Sequence, residues 1–282
     1  MQFPREGGLN SQAKSQVDAL LRAVAGTNES LLMLDYDGTL APFCSHPDEA
    51  LPYPGLLPVI QAIANSGRSR VVIISGRNAH DIAPLLDLVP RPEIWGLHGL
   101  QRLFPNGNCE LLPLQKQTVA ALAEAECKVR AEKLDPAAEF KAGSIAVHWR
   151  GLQQSQARSI RSRILSLWEP LANSSGLHLL EFDGGLEICA PEADKGDAVL
   201  TIFSEMYPHT PAAYLGDDTT DERAFEAINR RGLSILVRPE WRPTSARVWL
   251  KPPGDLLEFL SGWMEASPDR MTKNECKLVV KK

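Results

Sequence analysis

The order of apolar and polar positions divides the 282-residue chain into two kinds of segment. Five short stretches are dominated by apolar residues: SLLMLDYDG at 30–38, which ends abruptly in acid and glycine, RVVIISG at 70–76, EIWGLH at 93–98, AAYLGD at 212–217 and SILV at 234–237. Continuous apolar runs of this length, closed by turn residues, suit strands buried on both faces of a parallel sheet. Helical spacing occupies 11–25, where Val17, Leu20, Leu21 and Val24 share one face, and recurs at 55–65 and 195–206. Strands alternating with helices predict an α/β fold with a doubly wound parallel sheet.

The middle of the chain follows another rhythm. A helical pattern over 114–133 precedes two strand candidates, 138–141 and 144–150, and a second amphipathic helix at about 155–172 precedes two more, 177–182 and 185–190. Helix-strand-strand twice over is α+β rather than α/β, so 112–190 is expected to be an inserted cap domain. The core is then 1–111 plus 191–265. The chain is expected to leave it after the third strand and return at Lys195. The polar, basic stretch 266–282 reads as a flexible tail, in which LVV offers one short strand.

Composition narrows the function classes. A net charge of −5 gives no electrostatic footprint for nucleic acid or anionic lipid. No apolar run reaches the ~18–20 residues of a membrane span, and the N-terminus lacks a secretory pattern. The five cysteines are scattered, with no CxxC pair, which argues against a disulfide framework or a zinc site. A cytoplasmic protein is expected, monomeric, with neither a nucleic-acid nor a membrane partner.

The candidate chemistry sits where the apolar runs end. Asp35 and Asp37 close the first strand in LDYDGTL, and residues two apart share a face of a strand. Ligands bind beyond the carboxyl ends of strands in open α/β sheets. A polar turn explains one such aspartate cheaply. A second cluster, Asp217, Asp218 and Asp221 in GDDTTDE, follows another buried strand. Helix capping accounts for Asp221, but not for Asp217 and Asp218. Carboxylates gathered in one crevice require a hard cation, and oxygen ligands favour Mg²⁺. Thr39 and Ser75 offer hydroxyls and amides to phosphoryl oxygens. Lys195 opens a helix, against the macrodipole, a placement that makes sense where it offsets carboxylates and phosphate.

In sequence order DYDGTL, SGR, KG and GDDTTD resemble the haloacid dehalogenase (HAD) superfamily of phosphatases over about 30–265. The resemblance implies that Asp35 attacks phosphorus and that Asp37 acts as general acid and then base. It also implies that Thr39, Ser75 and Lys195 stabilise the phosphoryl oxygens. Mg²⁺ would be held by Asp35, the carbonyl of Asp37 and Asp217, with Asp218 and Asp221 in support. DYDGTLAP, SGR, GLHG, SIAVHWR, GLEI before DKG, and GDDTTDE resemble trehalose-6-phosphate phosphatases in particular. A sugar-phosphate substrate follows from that resemblance, with Arg77, His98, His148, Arg150 and Glu187 as candidate substrate contacts. His148 and Arg150 alternate along a strand and suit a solvated face equally well, and Glu187 points away from Leu186 and Ile188, towards solvent or the cleft. Cys189 stands where the family commonly has arginine. The alternatives are a phosphatase for glucosyl- or mannosyl-phosphoglycerate, a phosphosugar mutase, and a non-catalytic sugar-phosphate sensor.

Overall fold

A computed structural model describes residues 11–44, 47–182 and 184–268. After helix α1 (Ser11–Gly26), the chain builds β1 (Ser30–Leu34), α2 (Leu56–Asn65), β2 (Ser69–Ile74), α3 (Ala79–Leu86) and β3 (Glu93–Gly96). Two short strands follow, β4 (Gln101–Leu103) and β5 (Cys109–Leu111). Helix α4 (Lys116–Ala131), β6 (Ala138–Phe140), β7 (Ser144–His148), α5 (Gln154–Ser175), β8 (His178–Phe182) and β9 (Gly185–Cys189) come next. The chain closes with α6 (Lys195–Ser204), β10 (Ala212–Gly216), α7 (Glu222–Ile228), β11 (Leu233–Val237), β12 (Val248–Leu250) and α8 (Gly254–Ala266).

The large sheet has eight strands in the order β12-β11-β10-β1-β2-β3-β4-β5. It is parallel from β12 to β3 and antiparallel at β3-β4 and β4-β5. Its apolar runs are continuous because both faces are covered. Leu32 and Leu34 pack with α1, α2, α3 and α8, while Leu31 and Met33 face α6 and α7. Strand β1 lies centrally between β10 and β2, the point at which the strand order reverses, and so opens a crevice beyond its carboxyl end.

The second sheet, β6-β7-β9-β8, is antiparallel and covered on one face by α4 and α5. Alternation does the sorting. Ile145, Val147, Leu186 and Ile188 enter that apolar layer, while Glu139, Ala146 and Glu187, paired across the strands, occupy the opposite face. That face looks onto the crevice of the large sheet.

Four details differ from the sequence expectations. The chain leaves the large sheet after five strands rather than three, because β4 and β5 are three-residue strands without an apolar run. Strand β7 ends at His148, so Arg150 lies in the turn beyond it. Strand β1 ends at Leu34, so Asp35 and Asp37 sit on the turn after the strand rather than on one of its faces. The expected tail is fixed where it starts: Ala266 still belongs to α8, and the buried Ser267 accepts a hydrogen bond from Ser69 Oγ at 3.2 Å. Positions 269–282, with LVV and Cys276, lie outside the described residues. Among the described residues no helix is long and apolar enough to cross a membrane.

Candidate active site

The turn after β1 is tied down by its own backbone: Leu40 and Ala41 amides both donate to the Tyr36 carbonyl, and Tyr36 Oη donates to Ala50 O at 2.6 Å. Gly38 is required there. Its φ is +84°, and a Cβ would stand 2.2 Å from Asp217 Oδ2. The close approach that excludes a side chain brings the turn after β1 against the acidic loop.

Asp35 and Lys195 are buried at the floor of a cavity of about 500 Å³, between the large sheet and the open face of the second sheet. Lys195 Nζ donates to Asp35 Oδ1 and Asp221 Oδ1, both at 2.7 Å. Burial alone would strip the lysine of its proton, but Asp221 and Asp35 reverse that and raise its pKa. Asp35 Oδ2 is buried and has no hydrogen-bond partner. Burial, opposed by Lys195 and aided by Asp221 and Asp37, pushes the Asp35 carboxyl up to about 7. Asp217 is raised well above its ordinary value, by burial and then by Asp35 and Asp221.

Carboxylate oxygens of Asp35, Asp217 and Asp221 lie within 4.8 Å of one another. The three are not equivalent. Asp221 Oδ1 accepts from Lys195 and from Tyr214 Oη, and its Oδ2 accepts from the amides of Asp217 and Asp218. Burial would raise Asp221, but the Lys195 charge and these hydrogen bonds hold its pKa low. With its acceptor positions filled, Asp221 shapes the loop and anchors Lys195. The unpartnered Asp35 Oδ2, beside Asp217, is the group that a cation or an electrophilic phosphorus would engage, so the donor set fits a hard divalent cation.

The remaining expected residues fall in several places. Asp37 faces Arg77 Nη1 at 3.6 Å, and burial raises its carboxyl pKa despite that guanidinium. Ser75 and Asp218 line the cavity; Ser75 Oγ accepts the Arg77 amide, and Asp218 Oδ1 accepts the Thr219 amide. Thr39 is fully buried, and its hydroxyl has no partner and does not line the cavity. His98 has φ +57° and follows Leu97 at +51°, a backbone strain that sets its ring against Gly76. From there Nε2 lies 3.0 Å from Glu187 Oε2 of the second sheet. Glu187 is buried and also accepts from Ser144 Oγ at 2.5 Å and Lys141 Nζ at 3.0 Å. Burial works against its charge, yet Lys141 and His98 win and hold it well below the usual carboxylate range. His148 contacts Glu139 at 3.3 Å and Phe182 edge-on, and Arg150 covers the Phe43 ring.

Several residues that the structure places at or behind the site were not singled out in the sequence. Glu139 and Lys141 line the cavity beside His148; their signal was strand alternation in EFK ahead of SIAVHWR. Phe43 and Phe182 line it too, without any local pattern to mark them. Arg242 donates to the carbonyls of Asp217 (3.1 Å) and Asp218 (2.5 Å), pinning the acidic loop from 25 and 24 residues away.

A family model described as trehalose-phosphatase matches residues 33–251. A trehalose-phosphate phosphatase of Mycobacterium tuberculosis (strain H37Rv) is 30% identical over 262 residues, covering 86% of this chain and 63% of that protein. The chain therefore spans less than two thirds of the length of that relative. The C-terminal domain of Candida albicans trehalose-6-phosphate phosphatase superposes with a TM-score of 0.75 at 20% identity, over 88% of this chain and 96% of that one. A HAD-superfamily phosphatase from Bacteroides thetaiotaomicron superposes with a TM-score of 0.57 at 13% identity, over 83% and 95% of the two chains. The fold is the HAD fold.

Proposed function

The chain belongs to the trehalose-phosphatase family, and on that premise we propose that it hydrolyses trehalose 6-phosphate to trehalose and phosphate, with Asp35 as nucleophile. The observation that carries this reading is the state of Asp35, which lines the cavity: one carboxylate oxygen is held by Lys195, and the other is buried and unpartnered. A carboxylate fixed at one end and bare at the other is arranged for attack.

In the first step Asp35 Oδ2 forms a bond to phosphorus as the phosphorus–oxygen bond to the sugar breaks. Asp37 gives its proton to the departing alkoxide, a role favoured by the burial that raises its pKa. In the second step Asp37, now a carboxylate, takes a proton from water as the water oxygen bonds to phosphorus. The bond to Asp35 then breaks, phosphate leaves, and both aspartates return to their starting states. Ser75 and Lys195 line the same cavity, where they would stabilise the phosphoryl oxygens. Mg²⁺ would be held by Asp35, Asp217 and the carbonyl of Asp37, and would supply charge neutralisation between the carboxylate and the phosphate. Along the open face of the second sheet and in the turns at its strand ends, Glu139, Lys141, His148 and Arg150 supply charged and hydrogen-bonding groups for sugar hydroxyls. Glu187 holds Lys141, and its contact with His98 joins that sheet to the core. The ~300–1,000 Å³ typical of small-molecule sites includes this cavity.

A phosphate-release screen over sugar phosphates tests the reading. Trehalose 6-phosphate is expected to be the preferred substrate, with no turnover after chelation. Faster turnover of glucosyl- or mannosyl-phosphoglycerate would reassign the sugar, and turnover that survives chelation would remove the metal.

Metal binding carries its own pH signature. Without a cation, Asp35 titrates near 7 rather than at its ordinary 3.8. For a carboxyl raised on folding, the stabilising state is the protonated one. That stability is complete below about 4 and is lost as pH rises through about 7. A cation restores it by replacing the proton. Added Mg²⁺ is therefore expected to raise the thermal midpoint strongly at pH 8 and little at pH 5.5. Equal shifts at the two pH values would contradict the assignment of Asp35 to the metal site.

A further inference from the structure

Phe43 belongs to the core, six residues past Asp37, yet its side chain works between the two sheets. One end of the ring reaches the nucleophile turn: a Cβ on Gly38 would meet Phe43 Cζ at 2.7 Å. The face of the ring lies under the Arg150 guanidinium, 4.2 Å from carbon to centroid. Arg150 is confined from behind as well, since a Cβ on Gly184, in the β8–β9 turn, would stand 3.0 Å from its Nε. Both Phe43 and Arg150 line the cavity. The ring is 38% exposed, and its recorded contacts run to the turn that carries Asp35 and to the Arg150 guanidinium.

We propose that Phe43 is a specificity-determining positioning residue: its ring seats Arg150 of the inserted domain over the leaving-group half of the cavity. The wall is complete only when that domain rests on the nucleophile turn, which favours phosphates with a large hydroxylated leaving group over small ones. The proposal rests on the sugar-phosphatase reading of the same site. The attraction between a cation and an aromatic face at a partly exposed position corresponds to a factor of about 3 to 30.

The test is a double-mutant cycle of Phe43→Leu and Arg150→Met, with Phe43→Tyr as the conservative variant. Two substrates are compared: the sugar phosphate that the unaltered protein turns over fastest, and acetyl phosphate, which has no sugar. Phe43→Leu is expected to lower kcat/KM on the sugar phosphate about 3- to 30-fold more than on acetyl phosphate. Phe43→Tyr should restore the ratio, and the extra loss should vanish in the Arg150→Met background. Equal losses on both substrates, or independent effects of the two substitutions, would overturn the proposal. The unaltered protein reports on the sugar-phosphatase reading separately: acetyl phosphate hydrolysis with no sugar phosphate accepted would defeat that reading and this proposal with it. Thermal midpoints of the variants show whether each is folded.

Discussion

Asp35→Asn is expected to lower phosphate release by about four orders of magnitude or more while leaving the fold intact. The amide has nearly the shape of the carboxylate but no nucleophilic oxygen, and its substitution removes one of the carboxylates facing the proposed cation. Stability should not fall in step with activity. Burial already pushes the Asp35 carboxyl up to about 7, so its ionised form opposes folding in the absence of metal. The thermal midpoint of the metal-free variant at pH 8 is expected to equal or exceed that of the unaltered protein, and Mg²⁺ should no longer raise it. Phosphate release within tenfold of normal would end the role of Asp35 as nucleophile.

Lys195→Met is expected to do the reverse to stability. Lys195 is bonded to both Asp35 and Asp221, and all three are buried. Removing one partner of a buried ion network leaves uncompensated charge, at a typical cost of about 3–5 kcal/mol. Activity should fall with it, because the phosphoryl oxygens lose their buried ammonium. A compensating change separates the two effects. Asp35→Asn added to Lys195→Met removes a carboxylate that has lost its partner, so the double variant should be more stable than Lys195→Met alone, yet remain inactive. Denaturant unfolding of the metal-free proteins at pH 8 measures this, and a double variant less stable than both single ones would contradict the charge account.

The large sheet was legible because burial on both faces writes itself as uninterrupted apolar residues, as in SLLML and RVVII. Lys195 and the Asp217–Asp221 loop were legible for a different reason. Each violates a local preference, by charge repulsion or against a helix dipole, and the violations resolve only when they meet. What escaped was short or remote. QRL and CEL pair antiparallel with β3 and with each other but carry no periodicity long enough to read. Tyr214 reads as another apolar strand residue, and its hydrogen bond to Asp221 exists only in the folded chain. Arg242 lies in a loop of polar residues, and nothing nearby shows that its guanidinium reaches the carbonyls of Asp217 and Asp218. Glu187 was legible in direction but not in environment. Alternation turned it away from Leu186 and Ile188, and the structure fills that side with His98, Lys141 and Ser144.

The covalent intermediate tests the central claim most directly. Rapid quenching of the protein with trehalose 6-phosphate and Mg²⁺ into borohydride reduces an aspartyl phosphate to homoserine, which peptide mass spectrometry locates. Homoserine at position 35, dependent on substrate and metal, is the predicted result. Phosphate release with Asp35 unmodified, or homoserine at Asp37 or Asp217 instead, would contradict it.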